Sequence, residues 1–117
     1  MTESDVYQLL KSNVAIKALI NERVYPMIAP QNVVKPYLTY QVISGLKLQC
    51  MGGQIYQGDY RMQIDCFSLT YSNVKAISEA VKNALVGFMD SNNSSTIDDY
   101  ENETALFRQI IDFKLKG

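Results

Sequence analysis

Between Tyr60 and Leu69 apolar and polar side chains alternate. Tyr60, Met62, Ile64 and Cys66 fall on one face, and Arg61, Gln63 and Asp65 fall on the other. A period of two predicts a half-buried strand. After a short turn the period changes. Val74, Ile77, Val81, Leu85 and Phe88 recur every three or four residues, with Ala84 on the same stripe, which predicts an amphipathic helix from Asn73 to Phe88. A strand with one apolar face next to a helix with one apolar stripe is half of a two-layer sandwich.

The rest of the chain extends this plan. Val6, Leu9 and Leu10 form a helical stripe, and Thr2 with Asp5 is a candidate capping box, with Ser4 as a competing cap. Ser12-Asn13 predicts a break, because both side chains compete for backbone hydrogen bonds. Val14, Leu19 and Ile20 continue the pattern in a second short helical stretch. Arg23 to Pro26 reads as a short strand ended by proline. Pro26, Pro30 and Pro36 then punctuate an extended arm from Met27 to Lys35, which cannot lie in the middle of a sheet. Tyr37 to Gln49 reads as a long strand with Leu38, Tyr40 and Val42 on one face and Tyr37, Thr39, Gln41 and Ile43 on the other. Gln49 to Asp59 reads as a glycine-containing, mobile hairpin tip. Met89 to Ser95 reads as turn residues, and the acidic stretch Thr96 to Glu103 as carrying a short edge strand near Ile97 to Tyr100. The segment from Thr104 to Lys116 reads as a closing strand. Phe107, Ile111, Phe113 and Leu115 lie on one face and Leu106, Arg108, Ile110, Asp112 and Lys114 on the other.

The expected fold class is therefore α+β: a mainly antiparallel four- to five-stranded sheet with two helices packed on one face, in a single domain over residues 1–117. Consecutive strands are expected to pair as hairpins. The opposite sheet face would carry Arg61, Gln63, Asp65, Arg108, Asp112 and Lys114 mixed with Leu106 and Ile110. A face of this kind is a candidate for docking onto a neighbour.

Composition narrows the function. A chain of 117 residues holds a core without metal or disulfide support. Its net charge of −1 argues against a broad basic surface and so against direct nucleic-acid reading. The apolar runs are too short for a membrane span, and the N-terminus, Met-Thr-Glu-Ser-Asp, lacks the pattern of a secretory signal. Cys66 falls on an apolar strand face and reads as a small core residue. Cys50 lies in the glycine-containing connection. Both read as reduced thiols.

Catalytic signals are sparse. The chain has no histidine, which removes the commonest general base, the histidine-dependent nucleophile arrangements and most zinc sites. Gly52-Gly53 leads into neither a phosphate loop nor a dinucleotide fingerprint. Asp98, Asp99, Glu101 and Glu103 offer oxygen ligands for Ca²⁺ or Mg²⁺ but lack the spacing of an EF-hand loop; a solvated acidic loop is the plainer reading. Tyr37, Tyr40, Tyr56, Tyr60 and Tyr71 have no basic groove to make them a stacking platform, so sheet packing or a protein interface suits them better. No catalytic, cofactor-binding or metal residue is assigned. The enzyme alternative, a small metal-dependent enzyme, rests on the acidic segment alone.

Several stretches in order carry a resemblance: Arg23-Val-Tyr-Pro, Ala29-Pro-Gln, Pro36-Tyr-Leu-Thr-Tyr-Gln, Arg61-Met-Gln-Ile-Asp-Cys-Phe-Ser, the helix Ile77 to Leu85, Asp99-Tyr-Glu and Arg108-Gln-Ile-Ile-Asp-Phe. Across nearly its whole length the chain resembles the small tail completion proteins of tailed phages and prophages, which include tail-to-head joining proteins and have a fold similar to the lambda tail terminator. The resemblance implies a non-enzymatic structural protein of the virion tail, assembled in the host cytoplasm. It also implies self-association into a hexameric ring that caps the tail tube and docks to the head-tail connector. A head-side connector or stopper protein is the alternative within this class. The candidate partner contacts are Gln49, Met51, Gln54 and Tyr56 at the hairpin tip, Asp98, Asp99 and Glu101 in the acidic segment, and Arg61 and Arg108 on the polar sheet face.

Overall fold

The computed structural model describes residues 3–50 and 54–115; for 3, 44–50, 54–60, 90–93 and 115 the backbone alone is described. The elements are α1 (Glu3–Ser12), α2 (Val14–Ile20), β1 (Val24–Pro26), β2 (Tyr37–Cys50), β3 (Gln54–Ser68), α3 (Tyr71–Leu85), β4 (Met89–Glu101) and β5 (Leu106–Leu115). The five strands form one sheet in the order β1-β2-β3-β5-β4. The fold is α+β, with a mainly antiparallel sheet.

The break at Ser12-Asn13 is present, and its cause is local. The Asn13 side chain accepts a hydrogen bond from the Ile16 N–H at 3.1 Å and caps α2. Ser12 Oγ donates to the Gln8 carbonyl at 2.7 Å and closes α1. Val6, Leu10, Ile16 and Ile20 are buried, whereas Val14, read as part of the stripe, stands 83% exposed in the first turn of α2. Helix α3 begins at Tyr71 rather than Asn73, because Thr70 is its cap: the Thr70 hydroxyl accepts from the Asn73 N–H at 3.3 Å. It ends at Leu85, three residues before the expected Phe88.

One core joins helices and sheet. Val6, Leu10, Ile16, Ile20, Val74, Ile77, Val81 and Leu85 cluster with Leu38, Tyr40, Met62, Ile64, Cys66, Ile111 and Phe113. The strand residues in this cluster are the face that the period of two selects. Each fully buried aliphatic side chain here contributes about 1.5–3 kcal/mol of transfer free energy.

Four features of the sheet differ from the expectation. First, β1 pairs with β2 in parallel, Val24 opposite Leu38, and not as a hairpin; the arm of residues 27–36 is long enough to bring the chain back to the same end. Second, no long loop separates β2 from β3. The antiparallel ladder runs from Tyr37 opposite Phe67 to Cys50 opposite Gln54, and the Gly52-Gly53 and Met51 positions lie outside the described residues. Third, the polar run from Met89 is not a turn. β4 starts there and pairs with β5 as far as Glu101 opposite Leu106, with a register shift between Asp90 and Ser94. Fourth, the second sheet face is not wholly open. Tyr37, Phe67 and Leu106 are buried on it, with Tyr25, Ala29 and Val33 packed against them. The proline-punctuated arm thus covers one end of that face.

β3 pairs with β5 only from Arg61 opposite Lys114 to Ser68 opposite Phe107. Beyond that point residues 45–50 and 54–60 pair only with each other among the described residues. A two-stranded ribbon therefore extends past the sheet, and the molecule measures 50 × 29 × 24 Å.

Candidate functional site

On the sheet face opposite the helices, strand alternation brings charged residues into register. Arg61 and Asp112 lie on β3 and β5, and Arg61 Nε donates to Asp112 Oδ1 at 3.0 Å. Arg108 Nη2 donates to Asp65 Oδ2 at 2.7 Å, and its Nη1 lies 3.6 Å from Asp99 Oδ2 on β4. Gln63 Nε2 donates to the other Asp65 oxygen at 2.8 Å. The Arg108 guanidinium also sits over the Phe67 ring, 5.6 Å from its centroid, and Phe67 stacks on Tyr37 at 4.7 Å. Asp65 is itself buried. These contacts tie three adjacent strands, β3, β5 and β4, across one face.

The acidic segment does not converge. Because β4 is a strand, successive side chains point to opposite faces. Asp99 joins Arg108 on the open face. Asp98 lies on the helix side, where it accepts from Tyr71 Oη at 3.0 Å and from Gln109 Nε2. Glu101, opposite Leu106, is close enough to Tyr37 to act on it: burial first and the Glu101 charge second push the Tyr37 hydroxyl above its ordinary value. Glu101, Asn102 and Glu103 line an open depression of about 310 Å³ at the β4–β5 turn. Among the described residues no three His, Cys, Asp or Glu side chains come together in a way that holds a metal ion. Nor is any described helix long and apolar enough to cross a membrane.

The structure thus brings together Arg61, Arg108 and Asp99 of the candidate contacts and sends Asp98 to the other side. Gln49, Gln54 and Tyr56 belong to the ribbon, their side chains outside the described residues, as is Met51 entirely. Sequence reading missed Gln109. It falls between Phe107 and Ile111 in the inward series of β5, is 2% exposed, and contacts Asp98; strand parity alone was enough to find it. It also missed the exposed apolar residues of the arm, Met27, Ile28 and Val34, since exposure there depends on which arm residues the sheet covers.

These features define a small α+β domain whose distinctive chemistry lies on its surfaces: a charge-laced sheet face, an acidic edge strand and a projecting ribbon. The family model described as "Tail completion protein gp17" matches residues 4–116. The chain belongs to this family of structural phage tail proteins, and its place is the virion tail. Its fold is similar to that of a chain in the virion of a native gene transfer agent (GTA) particle, with a TM-score of 0.64 and 15% identity over 96% of this chain and 92% of that one. At that identity the likeness is one of fold. No curated protein matches the chain.

Proposed function

We propose that this protein acts as a single-domain tail terminator, forming a ring that caps the tail tube and joins the tail to the head connector. The observation that carries the proposal is the family match over residues 4–116. The geometry supports it in two ways. A ring needs rigid lateral surfaces, and the cross-strand ladder of Arg61, Asp112, Arg108, Asp65 and Asp99 stiffens one sheet face. It also needs an axial element that responds to its partner. Among the described residues the overhanging ribbon has no third strand over residues 45–50 and 54–60, and two-stranded ribbons are marginal in water until they pack on something. In this reading Gln49, Met51, Gln54 and Tyr56 meet the tube or connector, and Arg61, Arg108, Asp99 and Glu101 meet neighbouring copies. The role is architectural, and no reaction is assigned to it. The metal-dependent alternative loses its geometric basis, because strand alternation parts Asp98 from Asp99.

The test is direct. Light scattering and electron microscopy of the purified protein mixed with tail tube protein should reveal a ring-sized species at tube ends and tubes that stop growing. A protein that stays monomeric at high concentration and associates with neither tube nor connector overturns the proposal.

A further inference from the structure

The two edges of the sheet differ in their backbone chemistry. At β1, the Leu38 N–H donates to the Arg23 carbonyl at 2.9 Å and the Met27 N–H to the Tyr40 carbonyl at 2.8 Å. By alternation, Arg23, Tyr25 and Met27 turn their backbone groups toward β2, and Val24 and Pro26 turn theirs outward. Those outward groups are almost all spent. The Val24 N–H donates to the Glu22 carbonyl at 2.9 Å, Pro26 has no N–H, and its carbonyl accepts from the Ile28 N–H at 2.7 Å. This edge is closed to another strand.

β4 is the opposite case. It ends the sheet, pairs with β5 continuously from Ser94 to Glu101, and is exposed from Ser95 to Tyr100. Among the described residues nothing pairs with its outer edge. It carries neither proline nor lysine, two residues that usually guard an edge. Its side chains are acidic, Asp98, Asp99 and Glu101, with Glu103 just beyond, and Arg108 is the cation that pairs with Asp99.

We propose that β4 is a strand-addition site: an extended, lysine- or arginine-bearing segment of another virion protein pairs with its outer edge between Ser95 and Glu101. Backbone pairing supplies the affinity and the acidic side chains select the charge. A second copy is the poorer occupant. Its β1 edge has no donor to offer. Two β4 edges would bring six carboxylates of Asp98, Asp99 and Glu101 together in a two-fold contact that closes at a dimer, and a ring needs head-to-tail contacts. The inference deepens the proposed role and rests on it for the source of the segment, although the edge itself does not.

The probe is a synthetic peptide of about eight residues alternating lysine with valine or threonine, long enough to span the edge. Its control carries glutamate for lysine. Hydrogen exchange should slow at least about tenfold at every second amide from Ser95 to Glu101 with the lysine peptide and not with the control. In Thr96→Pro and Ile97→Pro, one substitution removes an N–H that faces β5 and the other an N–H that faces outward. The variant that keeps the wild-type melting temperature should bind the peptide at least about tenfold more weakly. A Glu101→Lys, Glu103→Lys protein, which disturbs no described hydrogen bond, should shift preference toward the glutamate peptide. No protection at millimolar peptide, protection elsewhere, or equal binding of both peptides overturns the proposal. So does protection of β4 by concentrated protein alone, which would make a second copy the occupant. Tube capping is scored separately by microscopy. Capping with unprotected β4 amides refutes the edge site and keeps the proposed role; peptide binding without capping does the reverse.

Discussion

Asp65 and Arg108 are the pair on which the open sheet face turns. Asp65 is buried, accepts from both Arg108 and Gln63, and leaves a poorly solvated guanidinium behind if removed. Asp65→Ala should therefore cost about 1–3 kcal/mol in urea unfolding, the penalty for taking the hydrogen-bonded carboxylate from a half-buried guanidinium that keeps Asp99 at 3.6 Å. Arg108→Lys should cost less but still be measurable, because an ammonium cannot span Asp65 and Asp99 while staying over the Phe67 ring. Ala105 offers a gain. Its φ of 55° puts a Cβ in the left-handed region at the β4–β5 turn, so Ala105→Gly should stabilise by up to about 1 kcal/mol.

Two buried acids set the alkaline limit. Burial, and then the neighbouring Asp65 charge, push the Cys66 thiol above its ordinary value near 9, and Tyr37 is raised above 10. In the unfolded chain both groups lose their protons first, so the unfolded state binds fewer protons than the native one and stability falls as pH rises. The contribution is fully present below about pH 9 and declines above it. The melting temperature should drop between pH 9 and 11, and Cys66→Ala should flatten the first part of the fall while lowering the plateau. Cys66 should also resist alkylation at pH 8 until the protein unfolds, since the thiolate is the reacting form.

At the scale of elements, α3 is held by its cap and its stripe. Thr70→Ala removes the acceptor for the Asn73 N–H and should cost about 1 kcal/mol. Ile77→Ala, at a position with no exposed surface, should cost about 2–5 kcal/mol, depending on how far the cavity collapses. Thermal or denaturant unfolding checks both. The elements were unequally legible. β3, β5 and α3 announce themselves, because one face of each is fully buried and selection for burial writes its period into the sequence. β4 does not. An edge strand buries little, and the run Asp90-Ser-Asn-Asn-Ser-Ser95 has the composition of a turn; the paired edge of β5 made part of it a strand by offering backbone hydrogen bonds that local propensity cannot anticipate. The β2–β3 hairpin is legible, but the length of its ladder is hidden for the same reason. Glycines near Met51 indicate a turn but not how far the ladder continues toward it.

At the scale of the molecule, the ribbon and the sheet have separable duties. Replacing residues 48–56 by Asn-Gly joins Lys47 and Gln57, which are already opposite each other, through a turn that suits a two-residue hairpin. The ribbon pairs only with itself there, so the melting temperature should stay within a few degrees of wild type. Association with tube or connector, measured by sedimentation, should be lost. If the shortened protein caps tubes normally, the ribbon has no part in docking.

The amino-acid sequence by itself determined which faces are apolar, where α1 breaks from α2, that Arg61 and Asp112 share a sheet face with Asp65 and Arg108, and the family the chain resembles. Those properties are periodic or compositional, and the chain carries them locally. Only the tertiary structure decided that β1 runs parallel to β2, that the arm roofs Tyr37 and Phe67, and that one sheet edge is sealed and the other is open. Each of these depends on which distant backbone supplies a hydrogen-bond partner, and backbone groups are the same in every residue but proline.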